Sequence, residues 1–199
     1  MRLLTRPLGV VVLCLLACPS WGQVPILVED MDLRPASSTP YRLTRAGAVT
    51  YFSAENAEQG RELWKTDGTA AGTVLVKDVT PGSQATGPTN LVMLGGVLVF
   101  SGDDATSGRE LWRSDGSETG SYMVADINPG RPGSSPGSLT VGSGIVYFVA
   151  DDGASGRELW KTDGTLAGTA RVKDINPGAA GSSPSLLTMA GSRDRKSVV

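Results

Sequence analysis

A unit of 48 residues recurs three times in this chain of 199 residues, without an insertion or a deletion. The pentapeptide Gly-Arg-Glu-Leu-Trp begins at Gly60, Gly108 and Gly156. The same interval separates Asp67, Asp115 and Asp163; Gly72, Gly120 and Gly168; and Asp78, Asp126 and Asp174. Agreement at so many positions does not arise by chance, so the chain is predicted to repeat one structural unit in tandem.

The middle copy has the pattern of four short strands separated by turns. Strands are predicted at 90–94, 97–102, 110–114 and 122–127, which are bounded by Gly-Gly, Asp-Gly and Pro-Gly turn signals. On the third strand, the period of two places Leu111 and Trp112 on opposite faces. No stretch of the repeats has the 3.6-residue period of an amphipathic helix. The sequence therefore predicts an all-β fold whose units are residues 43–90, 91–138 and 139–186.

Four strands in a unit of this length predict a β-propeller-like array of four-stranded blades. A β-solenoid usually has shorter coils, and a sandwich needs no strict period. Ile26–Asp30 matches Val74–Asp78 at the 48-residue interval, so residues 23–192 are predicted to hold three complete repeats plus a partial N-terminal strand. A closed propeller typically has 4–8 blades. We therefore expect the chain to be a fragment of a larger closed propeller.

The repeated motif resembles that of a known family. Glu62–Thr69 and Glu158–Thr165 have the form Glu-Leu-Trp-x-x-Asp-Gly-Thr, and Glu110–Ser117 differs only in its last residue. Together with Gly168-Thr169 and Asp174–Gly178, these residues resemble the ELWxxDGT repeat. The resemblance covers about residues 24–191 and implies an exported bacterial β-repeat protein with a propeller-like fold. It implies no catalytic residues.

The two ends differ from the repeats. Residues 1–22 have the features of a signal peptide: two arginines, an apolar run from Leu8 to Ala17, and small residues before Gln23. A lipid anchor on Cys18 is one alternative, and an uncleaved anchor is the other. Each interpretation predicts export, to the periplasm, the cell surface or the medium. Asp194–Val199 is what a common sequencing adapter encodes, so residues 193–199 are predicted to be a non-native tail.

Composition excludes several kinds of function. The chain has no histidine, and both cysteines, Cys14 and Cys18, lie in the predicted signal peptide. The mature protein would then lack a disulfide, a thiolate ligand and the commonest general base. The formal net charge is −2, and the body between the two basic ends is more acidic still. An acidic body without a basic stripe argues against nucleic acid as a partner. The apolar run near the N-terminus is too short to span a membrane.

The repeated side chains are predicted to serve the structure. Trp64, Trp112 and Trp160 are expected to pack between neighbouring blades; stacking on sugar rings is the alternative. The adjacent Arg-Glu pairs are expected to form blade-to-blade ion pairs, with a charged rim as the alternative. Asp67, Asp115 and Asp163 open turns, and Asp78, Asp126 and Asp174 are expected to cap the Pro-Gly turns that follow them.

Acidic pairs in the loop after the second strand are the metal candidates. Asp103-Asp104 and Asp151-Asp152 occupy equivalent positions, and Glu55-Asn56 takes their place in the first copy. Carboxylates and carbonyl oxygens are the ligands that calcium prefers. The spacing matches neither an EF-hand nor a nonapeptide calcium repeat. Solvated turn residues are therefore the preferred interpretation, and calcium is the only cofactor to consider.

These observations favour an exported, non-enzymatic scaffold that presents loops to an unidentified protein or glycan. Two alternatives stay open. One is a secreted polysaccharide-acting enzyme whose catalytic residues lie outside these repeats, and the other is a calcium-stabilised surface adhesion protein. A downstream catalytic domain would favour the first alternative.

Overall fold

The computed structural model describes residues 37–82 and 87–189, which form three antiparallel four-stranded sheets. In sheet 1 the strands are β1 Tyr41–Ala46, β2 Val49–Asn56, β3 Gly60–Thr66 and β4 Val74–Lys77. In sheet 2 they are β5 Thr89–Leu94, β6 Val97–Asp103, β7 Arg109–Ser114 and β8 Tyr122–Ala125. In sheet 3 they are β9 Gly137–Gly142, β10 Ile145–Asp151, β11 Arg157–Thr162 and β12 Ala170–Lys173.

Each sheet is a meander in which every strand pairs with the next one in the chain. The second and third strands pair in the same register in all three sheets, with Phe52 opposite Trp64, Phe100 opposite Trp112, and Phe148 opposite Trp160. The described residues contain no helix, and in particular none that could cross a membrane. For residues 37–82 and 87–189, the prediction of an all-β fold made of four-stranded units is therefore confirmed.

The first strand of each sheet has the same irregularity. Arg42, Asn90 and Ser138 lie 48 residues apart and all have φ between 54° and 59°. In all three sheets this residue falls inside a register shift of the ladder, as expected for a bulge. The backbone of the repeat is thus reproduced even where its side chains differ.

Two hydrophobic cores lie between the sheets. The first joins Leu63 and Val76 of sheet 1 to Leu98, Phe100 and Trp112 of sheet 2. The second core joins the opposite face of sheet 2 to sheet 3. Its buried members are Leu94, Val99, Leu111, Val124, Val146, Phe148 and Ala150. Leu111 and Trp112 therefore lie on opposite faces of sheet 2, as the period of two predicts.

The first strands bring neighbouring sheets together. Strand β1 contacts β5, and β5 contacts β9. The Thr44 hydroxyl donates a hydrogen bond of 3.2 Å to the Leu91 carbonyl, which joins β1 to β5. The three sheets are thus stacked face to face as a blade-like array.

The chain after sheet 3 begins to repeat this arrangement. Leu186 has a φ of 53°, like Ser138 before it. The Thr140 hydroxyl donates to the Leu187 carbonyl over 3.3 Å, as Thr44 does to Leu91. The predicted signal peptide 1–22 with Cys18, the strand Ile26–Asp30 and the tail 193–199 lie outside the described residues.

Candidate functional site

The glutamate of the repeated motif is buried beneath the turn that ends its own sheet. Both carboxylate oxygens of Glu110 accept backbone N–H groups, from Ile127 at 3.0 Å and from Asn128 at 3.2 Å. Ser134 adds its backbone N–H at 2.7 Å and its hydroxyl. Glu110 has no exposed surface. Its carboxylate therefore satisfies buried donors of the Asn-Pro-Gly turn, which would otherwise be costly to bury.

The equivalent glutamates have the same role. Glu158 accepts hydrogen bonds from the backbone of Ile175, Asn176 and Ser182 and from the Ser182 hydroxyl. Glu62 accepts the backbone N–H groups of Val79 at 2.6 Å and Thr80 at 3.3 Å.

The three carboxyl groups differ in acidity. Burial, reinforced by the nearby charge of Asp78, raises the pKa of Glu62 to about 8. Burial also raises the pKa of Glu110 above its usual range. Burial acts on Glu158 in the same direction, but hydrogen bonds from Ser182 and from the turn amides hold its pKa below the usual value.

The prediction of blade-to-blade Arg-Glu ion pairs is wrong, because the glutamates are buried on backbone amides. The arginine beside each glutamate binds backbone at the start of its own sheet instead. Arg61 donates to the Thr39 carbonyl at 2.9 Å, and Arg157 donates to the Ser135 carbonyl at 3.1 Å. The prediction that Asp78, Asp126 and Asp174 cap the Pro-Gly turns is not supported, since the glutamates accept the turn amides.

Two of the three motif tryptophans, Trp112 and Trp160, lie at contacts between sheets. Trp112 is buried in the core between sheets 1 and 2, where its ring stacks near Phe100 with centroids 6.4 Å apart. Trp160 is half-buried against the core between sheets 2 and 3. Trp64, also half-buried, lies on the face of sheet 1 that points away from sheet 2. In each of the three, the indole Nε1 atom is buried and has no hydrogen-bond partner among the described residues.

The Asp-Gly part of the motif builds a tight turn. Asp115 Oδ1 accepts the Ser117 backbone N–H at 2.8 Å and its hydroxyl at 2.6 Å. These two bonds hold the pKa of Asp115 below its usual value. Gly116 has a φ of 91°, a conformation that favours glycine. The Asp115 carboxylate lies directly over Gly120, where a Cβ atom would overlap it.

The same turn recurs around Asp67 and Asp163. Asp67 Oδ1 accepts the Thr69 backbone N–H at 2.9 Å, and Asp163 Oδ1 accepts that of Thr165 at 2.9 Å. A Cβ atom on Gly72 or Gly168 would overlap the aspartate below it. This contact explains why the glycine five residues after the aspartate recurs in every copy.

The four calcium candidates accept hydrogen bonds within their own loops. Asp104 Oδ1 accepts the backbone N–H groups of Thr106 and Ser107, and Asp152 Oδ1 accepts those of Ala154 and Ser155. Asp103 and Asp151 bind backbone N–H groups two residues ahead. No group of three or more acidic, histidine or cysteine side chains arranged for a metal occurs within residues 37–82 and 87–189.

An asparagine performs the same task in sheet 1. Asn56 Oδ1 accepts the N–H groups of Glu58 at 3.1 Å and Gln59 at 2.7 Å. Because Asn56 is equivalent to Asp104 and Asp152, this turn needs an oxygen acceptor but no negative charge. The Asp152 carboxylate also pairs with Arg171 at 3.2 Å. Calcium binding by these loops stays a prediction.

The loops between the second and third strands lie along one edge of the array. The Thr80 hydroxyl, after β4, donates to the Asp103 carbonyl of the next sheet. The Ser134 carbonyl, at the start of sheet 3, accepts the Asp151 N–H at 3.0 Å. We call the equivalent residues 55–60, 103–108 and 151–156 the loop edge. Its sequence varies between copies more than the Glu-Leu-Trp and Asp-Gly positions do.

A groove of about 360 Å³ opens between sheets 1 and 2, and Gln59 of the loop edge forms part of its wall. It is lined by strand β4, by Lys65 and by Gly116 and Glu118 of the next sheet. Lys65 Nζ donates to the Gly116 carbonyl at 2.8 Å, and Lys77 Nζ lies 4.0 Å from the Glu118 carboxylate. The charged side chains of Lys65, Lys77 and Glu118 in the groove thus contact the neighbouring sheet.

The burial of the motif glutamate is the functional detail that sequence reasoning missed. One signal was available: the glutamate is identical in all copies, whereas the nearby basic residue is Lys65, Arg113 or Lys161. Exposed charges usually vary, so an unvarying one indicates a specific partner.

The fold and the motif contacts define a repeat protein built from face-to-face, four-stranded antiparallel sheets. No protein-family model matches the chain, and no curated protein does. Among solved structures, the chain is similar to the crystal structure of a puromycin hydrolase S511A mutant complexed with PGG, with 14% identity and a TM-score of 0.49. It is also similar to the computationally designed Ika8 protein, with 14% identity and a TM-score of 0.42.

These similarities cover most of this chain but only part of the other proteins. The first covers 75% of this chain and 22% of the hydrolase chain. The second covers 78% of this chain and 41% of the designed protein. The chain thus spans less than half the length of either structure.

Proposed function

We propose that this protein is an exported, non-enzymatic repeat scaffold whose loop edge is an interaction surface for a protein or a glycan. The sheets would belong to a closed propeller of the ELWxxDGT repeat type, completed by further blades. The protein would act in the periplasm, at the cell surface or outside the cell. Nucleic acid is not among the proposed partners, because the body of the chain is acidic.

One observation carries the proposal: the repeated Glu, Trp and Asp of the middle copy are all occupied in holding the array together. Glu110 binds turn amides, Trp112 packs against the neighbouring sheet, and Asp115 closes a turn over Gly120. A side chain that is buried or saturated in this way has little capacity left for a ligand. The residues that vary between copies lie in the loops, and variable loops on a rigid scaffold are where binding residues are usually found.

Export is tested at the mature N-terminus. We expect mass spectrometry of the protein purified from its natural compartment to find Gln23, cyclised or not, as the first residue. A diacylated Cys18 would place the protein on a membrane as a lipoprotein. A chain that starts at Met1 in the cytoplasm would refute export.

The interaction surface is tested with an array of defined bacterial and plant oligosaccharides and a matched loop variant. The variant replaces residues 104, 106 and 107 and residues 152, 154 and 155 with the Asn, Glu and Gln of positions 56, 58 and 59, and keeps Ala105 and Gly153, which have φ of 67° and 77°. Because Asn56 accepts the equivalent backbone N–H groups, this replacement should leave the melting temperature within a few degrees of the parent. We expect it to abolish glycan binding. Unchanged binding would exclude the loop edge as the surface.

The same assay separates the scaffold from the enzyme alternative. The protein is incubated with each polysaccharide that it binds, and newly formed reducing ends are measured. Binding without new reducing ends supports a scaffold. Reducing ends that increase with protein concentration would instead favour a polysaccharide-acting enzyme.

A further inference from the structure

The two outer faces of the three-sheet array are the two halves of an interface that the chain already makes twice. Val76 of sheet 1 packs on sheet 2, and Val124 of sheet 2 packs on sheet 3; they are 4% and 5% exposed. Val172, their equivalent on sheet 3, is 45% exposed. We call the outer side of sheet 3, with Leu159, Val172 and Ile175, the leading face.

Sheet 1 carries the complementary face. Leu91 of sheet 2 is packed against sheet 1 and is 8% exposed, whereas its equivalent Leu43 is 51% exposed. Trp64 is the equivalent of Trp112, which lies in the core between sheets 1 and 2. We call the side of sheet 1 with Leu43 and Trp64 the trailing face.

A polar contact accompanies each apolar interface inside the chain. Lys65 Nζ donates to the Gly116 carbonyl at 2.8 Å, and Arg113 Nη1 donates to the Gly164 carbonyl at 3.2 Å. The residue equivalent to the donors Lys65 and Arg113 is Lys161, on the leading side of sheet 3. The residue equivalent to the acceptors is Gly68, in the turn of sheet 1. Both are exposed. The leading and trailing faces therefore match in polar groups as well as in apolar surface.

We propose that a second copy of this chain docks its trailing face on the leading face, head to tail, in the geometry of the two internal interfaces. The proposal rests on the blade array of the proposed function: in a preparation of this 199-residue chain, the second copy takes the place of the further blades. Each copy has one leading face and one trailing face, so it can contact a second copy twice. Two copies that make both contacts would form a ring of six sheets, within the 4–8 blades typical of closed propellers.

The segment 186–189 now lies where part of the incoming sheet would dock. The Leu187 carbonyl accepts the Thr140 hydroxyl, and Met189 packs against Gly142. Leu43 is the 48-residue equivalent of Leu91, the residue whose carbonyl accepts Thr44. Strand β1 of the second copy can therefore replace this segment with like contacts, while docking also buries Val172 and Ile175.

The test measures the mass of the purified full chain in solution by light scattering on a size-exclusion column, over a range of concentrations. We expect twice the mass of one chain. Val172→Arg on the leading face and Leu43→Arg on the trailing face should each halve the mass. Leu166→Arg should not, since Leu166 is 71% exposed in the turn of sheet 3 that follows β11 and belongs to neither face.

A mixture of the two blocked variants identifies the head-to-tail arrangement. The Val172→Arg chain keeps its trailing face and the Leu43→Arg chain keeps its leading face, so an equimolar mixture should recover the doubled mass. A parent chain of single mass at all concentrations would overturn the proposal. So would a dimer that persists in either variant, or one that only one variant removes. Glycan binding by a monomer would leave the proposed function standing while this inference fails.

Discussion

The buried carboxyl of Glu62 should make the stability of the fold fall as the pH rises. Its pKa is about 8 in the folded protein and 4.5 in an unperturbed chain. Between these values the folded state holds a proton that the unfolded state has lost. The stabilisation is therefore complete below pH 4.5 and is lost as the pH rises through about 8. One pKa unit corresponds to roughly 1.4 kcal/mol, so the shift sets a ceiling of about 5 kcal/mol.

The diagnostic change is Glu62→Gln, which cannot lose a proton. Glutamine keeps one acceptor oxygen for the N–H group of Val79 or Thr80, but its NH₂ group faces the other N–H donor. We therefore expect the variant to be less stable than the parent at pH 5. Between pH 5 and pH 8 the parent should lose stability relative to the variant, by at most roughly 3–4 kcal/mol, because solvent screening reduces the effect of the shift. Urea denaturation at pH 5, 6, 7 and 8 measures this difference.

The matched control is Glu158→Gln. Glu158 binds the equivalent turn, but its pKa lies below the usual value. It is therefore ionised in both states between pH 5 and pH 8, and its contribution is lost only at lower pH. The free energy of unfolding of the Glu158→Gln variant should therefore change with pH in parallel with that of the parent over this range. If the free energy of unfolding of the Glu62→Gln variant also changes in parallel with that of the parent, Glu62 is not protonated in the folded protein at neutral pH.

Three further predictions concern the motif and the loops. Trp112→Ala should cost about 3–5 kcal/mol in urea denaturation, since it empties the core between sheets 1 and 2; full stability with lost glycan binding would instead make Trp112 a ligand residue. Gly120→Ala should cost about 1–3 kcal/mol because its Cβ overlaps the Asp115 carboxylate, and adding Asp115→Ala should restore part of the loss; a cost that is purely additive would contradict this contact. Calcium at 1 mM should leave the melting temperature unchanged, since the loop carboxylates already bind their own amides. A site with a dissociation constant of about 10 μM would add roughly 2.7 kcal/mol, and a shift abolished by Asp151→Asn would establish it.

Local sequence patterns were sufficient to predict the strands. The period of two placed Leu111 and Trp112 on opposite faces, and the structure puts them in different cores. The interval of 48 residues predicted that the sheets would be equivalent. Both predictions depend on neighbours along one strand or on identity between copies, and these are visible in a sequence.

The motif glutamate could not be placed in the same way. Its donors are 17, 18 and 24 residues away, on a turn that returns over the strand only after the sheet has formed. The period of two places the arginine and the glutamate on opposite faces of one strand, so the sequence predicts ion pairs between neighbouring blades. In the folded chain the glutamate instead accepts backbone N–H groups and the arginine donates to carbonyls that precede the first strand, and the spacing reveals neither partner.

The even spacing of the interfaces has a consequence for how such a gene can change in length. Loss of residues 91–138 would bring sheet 1 against sheet 3, with Phe148 and Trp160 in the places of Phe100 and Trp112. The amine of Lys65 would then face the Gly164 carbonyl, which Arg113 now binds. Recombination between two copies removes or adds a whole unit and preserves every junction. A deletion of any other length would place unlike surfaces together, so selection should tolerate length variants chiefly in steps of one repeat.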